Sequence, residues 1–163
     1  EIDGVEITAH INPAPDHALL QGRQFSNKEY KRLNEGKEAK AYDGVVIPKN
    51  DKRRAISTYN CYHTIYSIVL GVEEPNYSKE QLDKIMKDNE EGFIYEGKHY
   101  TNYEGTQMQR ALELKIRQER DKITLSEKAK STDLEDIIAK SKKKIRIYQK
   151  KRRELQRLIF GGK

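Results

Sequence analysis

Cys61 and His63 stand two residues apart in "YNCYHT", and on an extended chain that spacing turns both side chains to the same side. A thiol beside an imidazole is a pairing used in nucleophilic catalysis: the ring takes the thiol proton and a third group orients the ring. His10, Asp16 and His17 are candidates for that third group. The same donors suit zinc, which takes Cys, His and Asp as ligands. Neither chemistry carries a recognisable signature. A Cys-x-His pair lacks the two-pair spacing of a zinc module, and the chain has no nucleophile elbow, phosphate loop or HExxH pattern. Packing offers a third account, with Cys61 as a small hydrophobe and His63 hydrogen-bonded to loop backbone. The sequence favours this structural account, with no catalytic residue, no metal and no cofactor. Cys61, His63 and His17 remain the alternative candidates for a hydrolase or a zinc site.

These residues need elements to position them, and the stretch "PAPDHALLQGRQFS" (13–26) is the first. Pro13 and Pro15 stiffen it, Gly22 lets it turn sharply, and the imidazoles can bridge loop to strand by hydrogen bonds. A rigid loop pinned to a sheet serves equally as a docking surface or an active site. The alternating residues 5–11 read as the strand before it. Ser26 with Glu29 forms a capping box for a short helix to about Leu33. "YDGVVIP" reads as a strand ended by Pro48, and "KNDKRR" as a loop. Residues 55–72, the most apolar and β-rich stretch, are expected to supply the core strand or strands around which the head packs.

Ser78 with Gln81 caps a helix running to Asp88, with Leu82, Ile85 and Met86 on one face. "FIYEGKHY" reads as a hairpin turning at Glu96-Gly97, with His99 half-exposed on it. From Thr101 the texture becomes helical. Thr101 and Glu104 cap a helix with Met108, Leu112, Ile116 and Ile123 on one stripe, reaching about Leu125 before "SEKAKSTD" breaks it. Thr132 and Glu135 cap a second. There Leu134, Ile138, Ser141, Ile145, Tyr148, Arg152, Leu155 and Ile159 recur at spacings of four and three, a heptad seam with polar interruptions at Ser141 and Arg152, and "GGK" stops it. Two such helices are expected to fold back as an antiparallel hairpin or to dock on neighbouring subunits. The fold class expected is α+β: a small mixed or antiparallel sheet head with short helices over 1–100, then a long basic helical hairpin over 101–163.

Charge divides the chain in the same way. The 163 residues carry a net +6, but residues 107–163 hold 18 Lys/Arg against 8 Asp/Glu, and residues 1–106 hold 14 against 18. Lys142, Lys143, Lys144, Lys150, Lys151, Arg152, Arg153 and Arg157 crowd the last helix. A basic tail of this kind suits an acidic partner, either nucleic acid or an acidic protein surface. Any DNA binding is expected to be weak, non-specific and salt-sensitive. No run of about 18 apolar residues offers a membrane span, and the single cysteine excludes an internal disulfide framework. Hydrophobic content of 35% against 36% charged is lean for a self-contained globule, so partners or an oligomeric assembly are expected. A start at Glu1 with neither Met nor leader pattern is expected of a piece of a longer polypeptide. Ten tyrosines could form a base-stacking platform, but Glu73, Glu74, Glu90, Glu91 and Glu96 flank the richest stretches and favour packing or protein contact.

Three ordered stretches, "VEITAHINPAPDHALLQGRQFS", "STYNCYHTIYSIVLGV" and "EGKHYTNYEGTQMQRALELKIRQERDK", resemble the phage minor capsid protein 2 family over about residues 5–157. In that family an "ISAH…P.HA..QG..FS" loop precedes an "NC.H" strand, a "Y….QR.LE..IR" helix and a basic helical tail. The family is more distantly similar to the head-morphogenesis proteins of Mu-like phages, which associate with the portal in the procapsid. The resemblance implies a head-assembly protein of the procapsid and virion, made in the host cytoplasm, with portal, capsid or scaffold proteins as partners; the family brings no well-defined activity with it, and a non-enzymatic role is expected. It implies that His10, Asp16, His17, Gln21, Gly22, Asn60, Cys61 and His63 form the signature cluster. Family proteins also carry a long helical segment before this region, which fits a fragment.

Overall fold

The computed structural model describes residues 1–129 and 134–161. It divides into two compact units, residues 1–89 and residues 90 onward. The fold is α+β, with three small antiparallel sheets and four helices among the described residues.

The first unit is built on β1 (Gly4–Ile7), the middle strand of three. It pairs antiparallel with β2 (Gln24–Ser26) on one side and β5 (Ile65–Ile68) on the other. All four residues of β1 are buried, so Val5 and Ile7 face the core while Glu6 needs partners on the opposite face. It has them: its carboxylate accepts from Gln24 Nε2 at 3.0 Å, Asn76 Nδ2 at 2.9 Å and the Asn76 backbone N–H. The α1 helix (Asn27–Asn34) starts where the sequence placed it, with Ser26 Oγ accepting the Glu29 N–H. The box is only half closed, because the Glu29 carboxylate turns to the N–H of Lys40 on β3 (Ala39–Lys40), which pairs with β4 (Val46–Ile47). Val5, Ile7, Leu20, Phe25, Leu33, Ala39, Ala41, Ile47 and Ile56 form one core. Buried Arg53 closes its lower edge by donating to the carbonyls of Leu33, Lys37 and Pro48.

The expectation that residues 55–72 are the core strands is corrected here. Only Ile65–Ile68 is a strand, and Tyr59, Tyr62, Tyr66 and Val72 are exposed. Ser57 and Asn60 both adopt positive φ, which breaks any extended run, and β5 lies at the sheet edge with one face in solvent. The core comes instead from β1, the 13–26 loop, α1 and the β3–β4 pair, with Ile56 added from residues 55–72. Helix α2 (Lys79–Glu91) begins with a complete capping box, Gln81 N to Ser78 Oγ and Ser78 N to Gln81 Oε1, and buries Leu82.

The second unit opens with the hairpin β6 (Phe93–Tyr95) and β7 (Lys98–Tyr100), turning through positive φ at Glu96 and Gly97. Such a pair suits the twist of a two-residue turn. Phe93 and Tyr95 pack on Leu155 and Ile159, so the hairpin, grouped with the head in the sequence reading, rests on the helices. Thr101 and Glu104 close a full capping box for α3 (Asn102–Ala129), which runs four residues past the expected end at Leu125 through the first part of "SEKAKSTD". The cap proposed at Thr132 lies outside the described residues. Helix α4 (Glu135–Phe160) lies antiparallel on α3 with the expected seam inward. Its two polar interruptions each meet an acid of α3. Ser141 is buried beside Glu119, whose carboxylate is 3.5 Å from Lys144, and Arg152 donates to Glu113 at 3.2 Å.

Candidate functional site

The 13–26 loop and the segment before β5 meet at three side chains. His17 Nδ1 lies 3.7 Å from Cys61 Sγ, His63 Nδ1 lies 3.6 Å from the same sulfur, and all three donor atoms are within 4.8 Å of one another. His17 and His63 are buried and Cys61 is partly so. Cys61 and His63 do converge as expected, but from an irregular segment and not from a strand. Asn60 in the left-handed region makes the bend, a conformation that asparagine tolerates better than most residues. The Ser57 hydroxyl donating to the His63 carbonyl at 3.0 Å then holds the chain.

The loop supplies the other partners. His10 is tied to Gln21 twice: its backbone N–H donates to Gln21 Oε1 at 2.8 Å, and its carbonyl accepts from Gln21 Nε2 at 3.2 Å. Those two bonds settle which end of the amide is oxygen. Since His63 Nε2 lies 3.3 Å from the same Oε1, it must be the protonated nitrogen. His17 Nε2 faces the Arg54 carbonyl at 2.8 Å and is likewise the donor. Both rings are therefore Nε2–H tautomers, and both present an Nδ1 lone pair to Cys61. Burial, followed by the neighbouring His10 and His17, pushes the His63 ring down to about 4, and burial likewise lowers His17. The two rings are neutral near pH 7. A single S–H can be donated to only one of two lone pairs.

The remaining signature residues support this arrangement. Burial raises the Asp16 carboxyl, but its bonds to Arg54 outweigh that and hold it at about 2. The pair is bidentate, with Arg54 Nε at 2.9 Å and Nη2 at 2.8 Å. Asp16 is thus committed to Arg54, with His17 Nε2 farther off at 3.6 Å. Arg54 reaches on to the Asn60 carbonyl at 3.1 Å, joining loop to segment. Gly22 turns in the left-handed region, its N–H donating to the Ile7 carbonyl. His10 sits edge-on to His63 at 4.4 Å between centroids, with its Nε2 buried and unpartnered among the described residues. Arg54 and Ser57 were missed in the sequence; Arg54 was read only as part of a charged loop. Chemically, the cluster can hold a divalent metal through His17, Cys61 and His63, or poise Cys61 against an imidazole.

The basic residues belong to the second unit, on α4. Lys144, Lys151 and Arg152 pair with Glu119, Glu96 and Glu113. Lys142, Lys150, Arg153 and Arg157 make no ion pair among the described residues, and with Arg146 they recur at spacings of four and three, turned away from the seam. Beside them Arg117, Arg120, Arg152 and Arg153 line a groove with Glu113, Ile116 and Gln149. Lys143 is exposed next to this stripe. No helix among the described residues is long and apolar enough to cross a membrane.

Comparison with curated proteins and with solved structures finds no match. The family model described as phage minor capsid protein 2 matches residues 1–156, nearly the whole chain, so a signature loop and cysteine segment closed on each other, followed by a basic helical pair, belong to a member of the phage minor capsid protein 2 family, with a structural role in the phage head.

Proposed function

We propose that the protein acts in head assembly without catalysis, by docking the basic face of its helical pair on an acidic surface of another head protein, the portal, capsid or scaffold. The observation that carries this reading is the stripe of Lys142, Arg146, Lys150, Arg153 and Arg157, five like charges on the solvent face of α4. Exposed like charges at helical spacing repel one another, and an acidic partner relieves that cost. DNA would relieve it too, but an acidic protein adds apolar burial that salt does not screen, and exposed Ile147 and Leu158 lie among these charges. The helical pair then works as an adaptor.

The test is co-purification of the protein with portal, capsid or scaffold across a salt series, beside a duplex-binding titration. The expected result is retention by one head protein at physiological salt, lost when Lys150 and Arg153 are both replaced by glutamine. Duplex binding is expected only at low salt, falling with a log-log slope near −4 to −5 for about five phosphates. Tight duplex binding at physiological salt, with no head protein retained, would reverse the order of partners.

A further inference from the structure

We infer that His17 Nδ1, Cys61 Sγ and His63 Nδ1 form a zinc site that clips the 13–26 loop to the segment before β5. The sequence favoured no metal, because a Cys-x-His pair alone has no zinc-module spacing. The third ligand comes from 44 residues away, and only the fold supplies it.

Three observations carry the assignment. The first is distance. Zn–S of about 2.3 Å and Zn–N of about 2.0–2.1 Å at a tetrahedral angle put sulfur and nitrogen about 3.6 Å apart. The two N···S separations here are 3.6 and 3.7 Å. The second is the outer hydrogen bonding. Each ring donates its other N–H, His17 to the Arg54 carbonyl and His63 to Gln21 Oε1, the arrangement that fixes the tautomer and orients a ligating imidazole. Gln21 is itself held by both backbone groups of His10. The third is unsatisfied donor capacity. Two lone pairs converge on one sulfur, which also receives the Ser57 N–H at 3.4 Å; one S–H cannot serve both rings, whereas a cation satisfies all three donors.

Imidazole, imidazole and thiolate select zinc over calcium or magnesium, which prefer oxygen. Binding releases the thiol proton to solvent, and the fourth position falls to water, as in other three-ligand zinc sites. The site does not depend on what the basic stripe binds. Its effect is to tie two distant stretches of the first unit together in the folded state only, so metal raises stability by mass action.

The experiment titrates the metal-stripped full chain with Co²⁺ and then Zn²⁺, with thermal melts of each form. Expected is about one zinc per chain. The cobalt form is expected to show the visible bands of tetrahedral cobalt with a thiolate charge-transfer band, displaced by zinc. The midpoint of the first unit should rise by about 10–20 °C at a hundredfold excess over Kd. Cys61→Ser should abolish the charge-transfer band. Gln21→Ala, which touches no metal, should weaken zinc by about 10–100-fold. The wild-type cobalt spectrum decides the matter even if a variant fails to fold. Zinc lost on desalting, or a cobalt spectrum without thiolate character, would overturn the assignment, as would a melt that chelator leaves unchanged.

Discussion

Replacing Gly92 with alanine, and separately Gly97, separates two costs that usually arrive together. Both glycines hold positive φ, 51° and 77°, in the second unit. At Gly97 a Cβ would meet nothing within 4 Å, so Gly97→Ala carries only the backbone cost of a left-handed L-residue, about 1–2 kcal/mol. That cost is partly offset because alanine has less conformational freedom to lose from the unfolded chain. At Gly92 the same Cβ would stand 2.0 Å from the Tyr100 carbonyl oxygen and 2.9 Å from Thr101 Cα. Both are backbone atoms, held by the β6–β7 pairing and by the cap of α3, so neither can move aside as a side-chain end would. Overpacking against rigid neighbours costs about 1–3 kcal/mol or more. The unfolded-state term is common to both variants and cancels in the difference. Gly92→Ala should therefore be less stable than Gly97→Ala by about 2 kcal/mol or more. Equilibrium unfolding in guanidinium, followed by far-ultraviolet circular dichroism, reads this as a lower midpoint at equal slope. If the two variants agree within about 0.5 kcal/mol, the close approach of Gly92 to Tyr100 is wrong.

Two further predictions concern the helical pair. Leu155 is 1% exposed among Phe93, Tyr95 and Ile159, so Leu155→Ala should cost about 2–5 kcal/mol in the same assay, and a loss below 1 kcal/mol would show that this layer is not packed as described. The hydrogen bond from Lys122, then that from Ser141, holds the Glu119 carboxyl at about 2 against an ordinary value of 4.5. A depressed acid contributes stability that is fully present above 4.5 and is lost as pH falls towards 2. Glu119→Gln should therefore remove part of the acid sensitivity in that window, and parallel stability curves for the two proteins would refute the role given to Glu119.

Local features were legible in the sequence because their causes are local. The capping pairs Ser26 and Glu29, Ser78 and Gln81, and Thr101 and Glu104 each lie within one turn, and each sets a helix start in the structure. The seam from Ile138 to Ile159 was legible for the same reason, as was the Glu96-Gly97 turn. Residues 55–72 misled because apolar content cannot distinguish an edge strand from a central one, and because positive φ at Ser57 and Asn60 belongs to residues that do not demand it. The members of the signature cluster could be named, but not their closure: His17 meets Cys61 only through tertiary folding. Glu119 was missed altogether. It occupies a seam position on α3 between Ile116 and Ile123, and the small Ser141 opposite was the signal that a buried carboxylate needed room.

Glu119 beside Ser141, and Arg152 on Glu113, fix more than pairing strength. Sliding α4 along α3 by one turn would set the buried Glu119 carboxylate against Ile138 or Ile145, a charge facing an apolar side chain in a closed seam. The two helices therefore have one longitudinal setting. The cations on the outer face inherit it, since Lys142 to Arg157 ride on a helix that cannot slip. At about 1.5 Å per residue they form a rigid ruler about 22 Å long. A partner meets this scale as a fixed graduation and must bring its own carboxylates to matching marks.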